Sequence, residues 1–433
     1  MRARGALRIA WVAPPFAGHL FPQLSLAREL AARGFTDQTV HTTDGAAGSV
    51  AAAGVRHAPL LPGRGCEVLQ IANTDKPVTG SPRAMLRQLR ANLALCTELR
   101  RELARAWEEA RPDVVIADFT LPVAGHLAEG LGVPWWTTTP SPCAIETRTG
   151  TPAYLGGWRD HGAWWSRLRD RLGNQAVHTC KRWLARAVRS ELAALGVEDI
   201  HRADGTEVVY SAALILALGA REFELPRRDW PRALEFIGPV FAPVRQDRSD
   251  AGPAFEPGRT HVLVSLGTHL FWAKDAGLQV AAGIARARAD WSVHYTLGRA
   301  GLGEARPELS ALELPANLTV LDFVPYDARL GRYDLALVHG GTGVTYACLA
   351  AGVPLAVWPQ DYDQFDHAVR IERLGVGRRV RKGAEVEATL ECAWDEGLRA
   401  AARRFQTTLA AYDPCSALER HLVSLCDSLP ARS

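Results

Sequence analysis

Residues 337–352 read LVHGGTGVTYACLAAG. An apolar run ends on His339, three of the next four residues are glycine, and a helical pattern then begins. That order describes a strand entering a helix through a turn free of bulky side chains. A helix N-terminus presents unpaired N–H groups and roughly half a positive charge, so an anion binds there when backbone can approach it closely. Gly340, Gly341 and Gly343 permit that approach, Thr342 and Thr345 offer hydroxyl donors, and His339 offers an imidazole N–H. The stretch reads as a cradle for a diphosphate, without a Walker lysine and without a metal. A tight turn packed for its own sake has the same pattern, so the surrounding sequence has to separate the two.

Outward from this stretch, short β-rich runs alternate with helical patterns. LRIAWVA (7–13), PDVVIADF (112–119), THVLVSLGT (260–268), WSVHYTLG (291–298), NLTVLDFV (317–324), DLALVHGG (334–341) and PLAVWP (354–359) read as buried strands. Such alternation is the signature of an α/β fold with parallel sheets covered on both faces. Between Gly238 and Arg259 lie four prolines, three glycines and several charges with no apolar period, which reads as a linker. The division expected is a Rossmann-like domain over 1–240, joined by a C-terminal helix over 413–433, a linker at 241–258, and a second Rossmann-like domain over 259–412. In the first domain, PQLSLARELAARG predicts a helix with Pro22 in its first turn and Gly34 just past its end. Leucine spacing over 83–110 predicts a long helix with a core-facing stripe.

A chain of 433 residues exceeds one hydrophobic core and suits two domains. Hydrophobic residues at 47% and charged residues at 22% exclude disorder. The net charge of +3 is spread thinly, with no basic block interleaved with aromatics, so nucleic acid is not an expected partner. No run of about 18 apolar residues occurs, so stable membrane insertion is not expected. The eight cysteines are scattered without a CxxC pair, which excludes zinc-ribbon and thioredoxin readings and suits reduced core thiols in the cytoplasm.

Beyond the glycine-rich turn, GVPLAVWPQDYDQFDHAVRIERLGVG (352–377) follows at once. The whole run resembles the donor-binding signature of family 1 glycosyltransferases, the nucleotide-sugar enzymes of GT-B fold. GHLFPQLSLARELAARG (18–34) is similar to that family's opening motif, and VLVSLGT to its first donor-domain strand. The resemblance implies two Rossmann-like domains facing across a cleft. It also implies that His339 and the loop Gly340, Gly341, Thr342, Gly343, Val344 and Thr345 hold the diphosphate, with Thr268 approaching the phosphates. Asp363 and Gln364 would bond the sugar hydroxyls, a task suited to a carboxylate beside an amide. Phe323 stands where the family usually has Trp against the base, and the Val324 backbone would meet the base edge. Ala347 stands where a ribose-binding Glu is usual, which is accounted for by a dTDP donor, whose sugar lacks the 2′-hydroxyl, or by a UDP donor held more loosely. Asp361 and Asp363 form a DxD pair of the kind that chelates metal in other glycosyltransferases, but here it lies inside the sugar-contact motif, and no metal ligand is assigned.

On the same resemblance, His19 of FAGHLFPQ is the base that takes the acceptor's proton, and Asp118, at the end of VVIAD, is its partner. Imidazole titrates near working pH, and a carboxylate on the other ring nitrogen fixes the tautomer. The flanking prolines and glycine put His19 on a loop at a strand's carboxyl end. Residues 135–183 are rich in Trp and read as loops walling the cleft. Phe16, Trp135, Trp136 and Trp158 are therefore the acceptor-contact candidates, although core packing explains such residues equally well. Together these features imply an inverting, metal-independent transferase without a cofactor. It would move a sugar from a dTDP- or UDP-sugar to a small lipophilic natural-product acceptor, as a monomer or homodimer. A sugar-nucleotide epimerase and a non-catalytic sugar-nucleotide-binding partner are the alternatives.

Overall fold

The computed structural model describes residues 2–78, 81–241, 253–303, 307, 309–310 and 312–430. Two parallel sheets organise them. The first contains β1 (Ile9–Val12), β2 (Gln38–Thr43), β3 (Arg56–Leu60), β4 (Val114–Asp118), β5 (Trp135–Thr139), β6 (Ile215–Ala217) and β7 (Leu234–Phe236), in the order β3-β2-β1-β4-β5-β6-β7. The second contains β8 (Thr260–Ser265), β9 (Trp291–Thr296), β10 (Leu318–Leu321), β11 (Leu335–Val338), β12 (Leu355–Val357) and β13 (Gly377–Arg379), in the order β10-β9-β8-β11-β12-β13. Each order reverses once, between β1 and β4 and between β8 and β11. Helices diverge to opposite faces there and leave a crevice at the strands' carboxyl ends, where ligands of open α/β sheets bind.

The apolar runs become strands because helices cover both sheet faces. In β1, Ile9 and Trp11 enter the core shared with the helix Ala17–Ala32, while Ala10 and Val12 enter the one under Pro82–Glu109. The long helix begins on Ser81, whose hydroxyl accepts from the Ala84 N–H, and buries Leu95, Leu99, Leu103 and Trp107. The chain's last helix, Pro414–Ser428, returns to the first domain, with Leu418 and Leu422 in the same core as Trp11 and Leu24. The expected linker at 241–258 falls mostly outside the described residues, as do 431–433.

Three local expectations are corrected. The first helix starts at Ala17, so Pro22 lies inside it and His19 occupies its first turn, not a loop. The ring of Pro22 removes the bond that would reach back to the Gly18 carbonyl. Residues 135–183 are not a set of loops: Trp135–Thr139 is strand β5 in the middle of the sheet, and Trp164–Ala187 is a helix. Gly34 does close the first helix, at φ +96°.

Contacts between the two halves are polar as well as apolar. Glu224 pairs with Arg370 at 2.7 Å, with both side chains almost fully buried. The Val78 N–H donates to Asp361 Oδ2 (2.6 Å), and the Tyr154 N–H donates to Asp366 Oδ2 (2.9 Å).

Candidate active site

Parallel pairing of β1 with β4, Val12 opposite Ala117, brings the first turn of the helix after β1 beside the last residue of β4. His19 Nδ1 lies 3.0 and 3.1 Å from the two oxygens of Asp118. Asp118 is 1% exposed. The Thr120 N–H (2.9 Å) and hydroxyl (2.5 Å) also donate to it. A carboxylate in that setting accepts, so Nδ1 carries the proton and Nε2 is left as the basic nitrogen. Burial pulls the pKa of His19 down. The adjoining Asp118 charge and hydrogen bond, with Asp363 across the cleft, more than offset this and hold it above its ordinary value. Phe119 stacks on the imidazole at 5.8 Å.

Across the gap, the helix Thr342–Ala350 is capped by Gly341, with only His339 and Gly340 between that cap and β11. Gly340 has φ +90°, a conformation costly for other residues, and a Cβ there would come 3.1 Å from the Gln364 carbonyl oxygen. The His339 ring is wedged between glycines: a Cβ on Gly267 would lie 2.5 Å from Cε1, and one on Gly341 2.3 Å from Nε2. Burial, then the nearby Lys274, lowers the pKa of His339 to about 4, so it is neutral near pH 7 and can still donate one N–H. At Gly343 a Cβ would meet nothing within 4 Å. The bare helix tip faces open space.

That space is a cavity of about 520 Å³ between the two sheets. His19 and Pro22 line it from the first domain, and Thr268, His339, Gly341, Thr342, Gly343 and Asp363 line it from the second. An imidazole–carboxylate pair therefore opens onto the same chamber as a bare helix N-terminus.

Comparisons with known proteins agree with this architecture. Residues 302–419 match the family model of the erythromycin biosynthesis protein CIII-like C-terminal domain. The chain is 26% identical over 387 residues to 4′-demethylrebeccamycin synthase of Lentzea aerocolonigenes, covering 87% of this chain and 88% of that protein. It is 29% identical over 379 residues to the elloramycin glycosyltransferase of Streptomyces olivaceus, covering 86% and 85%. The solved structure of the kitacinnamycin glycosyltransferase superposes with a TM-score of 0.69 at 25% identity, over 98% of this chain and 100% of that one. The chain is a glycosyltransferase of GT-B fold, similar over most of its length to glycosyltransferases of natural-product pathways.

Several residues singled out in the sequence of this glycosyltransferase meet at the cavity, and others do not. Val344, Gln364 and Phe323 line it as well, and Ala347 lies beside them. Gln364 has committed its carbonyl oxygen to the N–H groups of Gln360 (2.8 Å) and Asp361 (3.1 Å), so only its amide NH2 can serve a ligand. Thr345 does not line the cavity: it is fully buried, and its hydroxyl has no partner among the described residues. The Val324 side chain is core, packed in the cluster with Leu330 and Val338. None of the four acceptor candidates lines this chamber. Trp135 and Trp136 are consecutive in β5 and so point to opposite faces. Trp135 fills the place where Gly125 has no side chain, and Trp136 meets His421 edge-on at 5.9 Å. Trp158 lies under Arg169 (4.8 Å) and against Gly173. Phe16 packs behind the cavity wall, edge-on to both His19 and His269. Phe21, Val240 and Phe241 supply the apolar wall instead.

Two contributors went unread in the sequence. Ser141, just past β5, bonds Thr342 Oγ1 at 3.0 Å and donates to Asp363, joining the two domains inside the site. His269 lines the cavity with both ring nitrogens buried and unpartnered among the described residues. Burial, then the neighbouring His19, Lys274 and His339, drives its pKa to about 3. The next residue, Leu270, has φ +62°, a strained conformation of the kind that collects at functional loops. Neither residue belongs to a local motif.

Among the described residues, two groups bring metal-capable atoms within 4.8 Å of one another: Cys143, Asp363 and His367, and Glu146, His178 and His201. In the first, burial holds the Cys143 thiol protonated, and His367 Nδ1 is bonded to the Gly340 carbonyl at 2.7 Å. In the second, the Lys181 ammonium already sits 3.0 Å from Glu146. Asp361, the first carboxylate of the DxD pair, is buried and accepts the Val78 and Tyr362 N–H groups.

Proposed function

We propose that this glycosyltransferase moves a sugar from a dTDP- or UDP-sugar to a nucleophilic group of a small lipophilic acceptor, with inversion. What supports this reading is the shared chamber, with a His–Asp pair on one wall and a bare helix tip on the other. His19 Nε2 takes the acceptor's proton as its oxygen or nitrogen forms the bond to the anomeric carbon. The carbon–oxygen bond to the diphosphate breaks, and the electron pair leaves on the phosphate oxygen. Asp118 stabilises the imidazolium that results. The growing charge on the leaving group meets the N–H groups of the tip at Gly341 and Gly343, the Thr342 and Thr268 hydroxyls and the neutral His339, donors already held in position before reaction. Asp363 and the Gln364 amide take the sugar hydroxyls, Phe323 faces the base, and the Val324 backbone meets its edge. The donors at the helix tip take the part a metal would play on the leaving diphosphate, so neither metal nor cofactor is assigned.

In this proposal residues 1–240 with 413–433 form the acceptor side and 259–412 the donor side, in a cytoplasmic monomer or homodimer. The aromatic and aliphatic wall of Phe21, Val240 and Phe241 suits a flat apolar aglycone. Pairing of His19 with a buried carboxylate favours catalysis over silent binding. Thermal unfolding against a panel of UDP- and dTDP-sugars tests the reading. Stabilisation by one series is expected, following mass action. No shift with any of them at millimolar concentration overturns it.

A further inference from the structure

We propose that the outer face of the helix Trp164–Ala187 docks on an anionic phospholipid surface. Among the described residues, nine large hydrophobic side chains are exposed, and five of them, Trp164, Trp165, Leu168, Leu172 and Trp183, belong to this one helix. Trp164 is 76% exposed and Leu172 63%. The other four come from separate parts of the chain, so the five form a patch rather than scatter.

Helical geometry sorts the face. At about 100° per residue, Trp164, Trp165, Leu168, Leu172 and Trp183 spread over roughly 100°, and Arg167, Arg171 and Arg182 over roughly 60° on a sector that meets the first at Trp164. Ser166, Asp170, Gly173 and Leu184 are the buried residues, on the opposite side. Arg167, Arg171, Arg182 and Arg186 are all exposed, and none makes an ion pair among the described residues. Lys181 and Arg169, by contrast, are paired, with Glu207 and Asp170.

A helix with Trp and Leu in one sector and unpaired Arg beside it matches the chemistry of a headgroup interface. Indole and leucine side chains enter the acyl boundary there, and guanidinium groups clasp phosphates. A second copy of the chain fits poorly, because a two-fold contact on this face would set the same arginines against one another. No helix among the described residues is long and apolar enough to cross a membrane, so the helix would lie in the plane of the surface.

Co-sedimentation of the full chain with vesicles tests this. We expect binding to phosphatidylcholine vesicles containing one quarter phosphatidylglycerol, at least about 10-fold weaker binding to phosphatidylcholine alone, and weakening by salt. Arg167→Gln with Arg171→Gln and Arg182→Gln should weaken binding about 10²-fold, at roughly fivefold per charge. Leu168→Gln with Leu172→Gln should weaken it at least about 10-fold. All these side chains are solvent-facing, so an unchanged melting temperature is the control for folding. Failure of the unaltered protein to sediment with anionic vesicles, equal binding to neutral ones, or a dimer that Leu172→Gln dissociates would each overturn the proposal.

Discussion

Replacing Asp118 with Asn isolates what the buried carboxylate does for His19. The amide keeps the shape and can still accept from His19 Nδ1, but the charge is gone. A hydrogen bond to a charged group contributes about 1.5–3 kcal/mol, and here it strengthens as the imidazolium forms, so turnover should fall about 10- to 10²-fold. His19→Ala, which removes the base itself, should lose about 10²–10⁴-fold. A second consequence carries a sign. Burial lowers the pKa of His19, and the adjoining Asp118 is what lifts it above the ordinary value. Without that charge burial wins, so the acidic limb of the kcat/KM profile must move to lower pH in Asp118→Asn. The assay is release of the nucleoside diphosphate in the presence of an acceptor chosen from a panel of small phenols, run from pH 5 to 9. Binding of the nucleoside diphosphate should be unchanged, since Asp118 lies on the opposite wall. Turnover within twofold of the parent, with an unmoved acidic limb, refutes the base-pair assignment.

Gly343→Leu should leave the melting temperature nearly unchanged, because its Cβ meets no protein atom within 4 Å, yet abolish stabilisation by dTDP and UDP. A retained ligand shift would mean the helix tip is not the anion site. Ala347→Glu puts a carboxylate on the cavity wall, where it can accept from a ribose 2′-hydroxyl. Isothermal titration should show the UDP-to-dTDP affinity ratio rising about 10-fold, as one charged hydrogen bond provides. His41 and His294 are buried and held at about 4, each chiefly by desolvation. Unfolded imidazole titrates near 6.5, so the unfolded chain binds more protons between roughly pH 4 and 6.5, and stability must fall as pH drops through that window. A melting temperature flat from pH 6.5 to 4 would contradict their buried, neutral state.

Much of this was legible because the signals are local. A strand that ends in HGGTG and opens a helix announces itself through backbone chemistry within a few residues, as do the alternating apolar runs of a doubly wound fold. Asp118 ends one strand pattern and His19 follows shortly after another, so their shared neighbourhood follows once the sheet is parallel. The Trp residues misled for a physical reason: consecutive indoles in a strand point to opposite faces, and in a covered sheet both faces are core. The sequence there reads as aromatic either way, and only the helices packed above and below β5 decide that Trp135 and Trp136 are filling.

The sequence by itself thus determined the fold class, the glycine-rich turn that opens a helix and the pair of residues most suited to proton transfer, since each depends on neighbours along the chain. Tertiary structure alone decided which apolar side chains face the chamber and how Ser141 bridges Thr342 and Asp363. It alone decided that the His269 ring nitrogens have no hydrogen-bond partner among the described residues and that the Arg-flanked Trp helix is left in solvent. Those properties depend on which surfaces two domains turn toward each other, and residues more than a hundred positions apart settle that together.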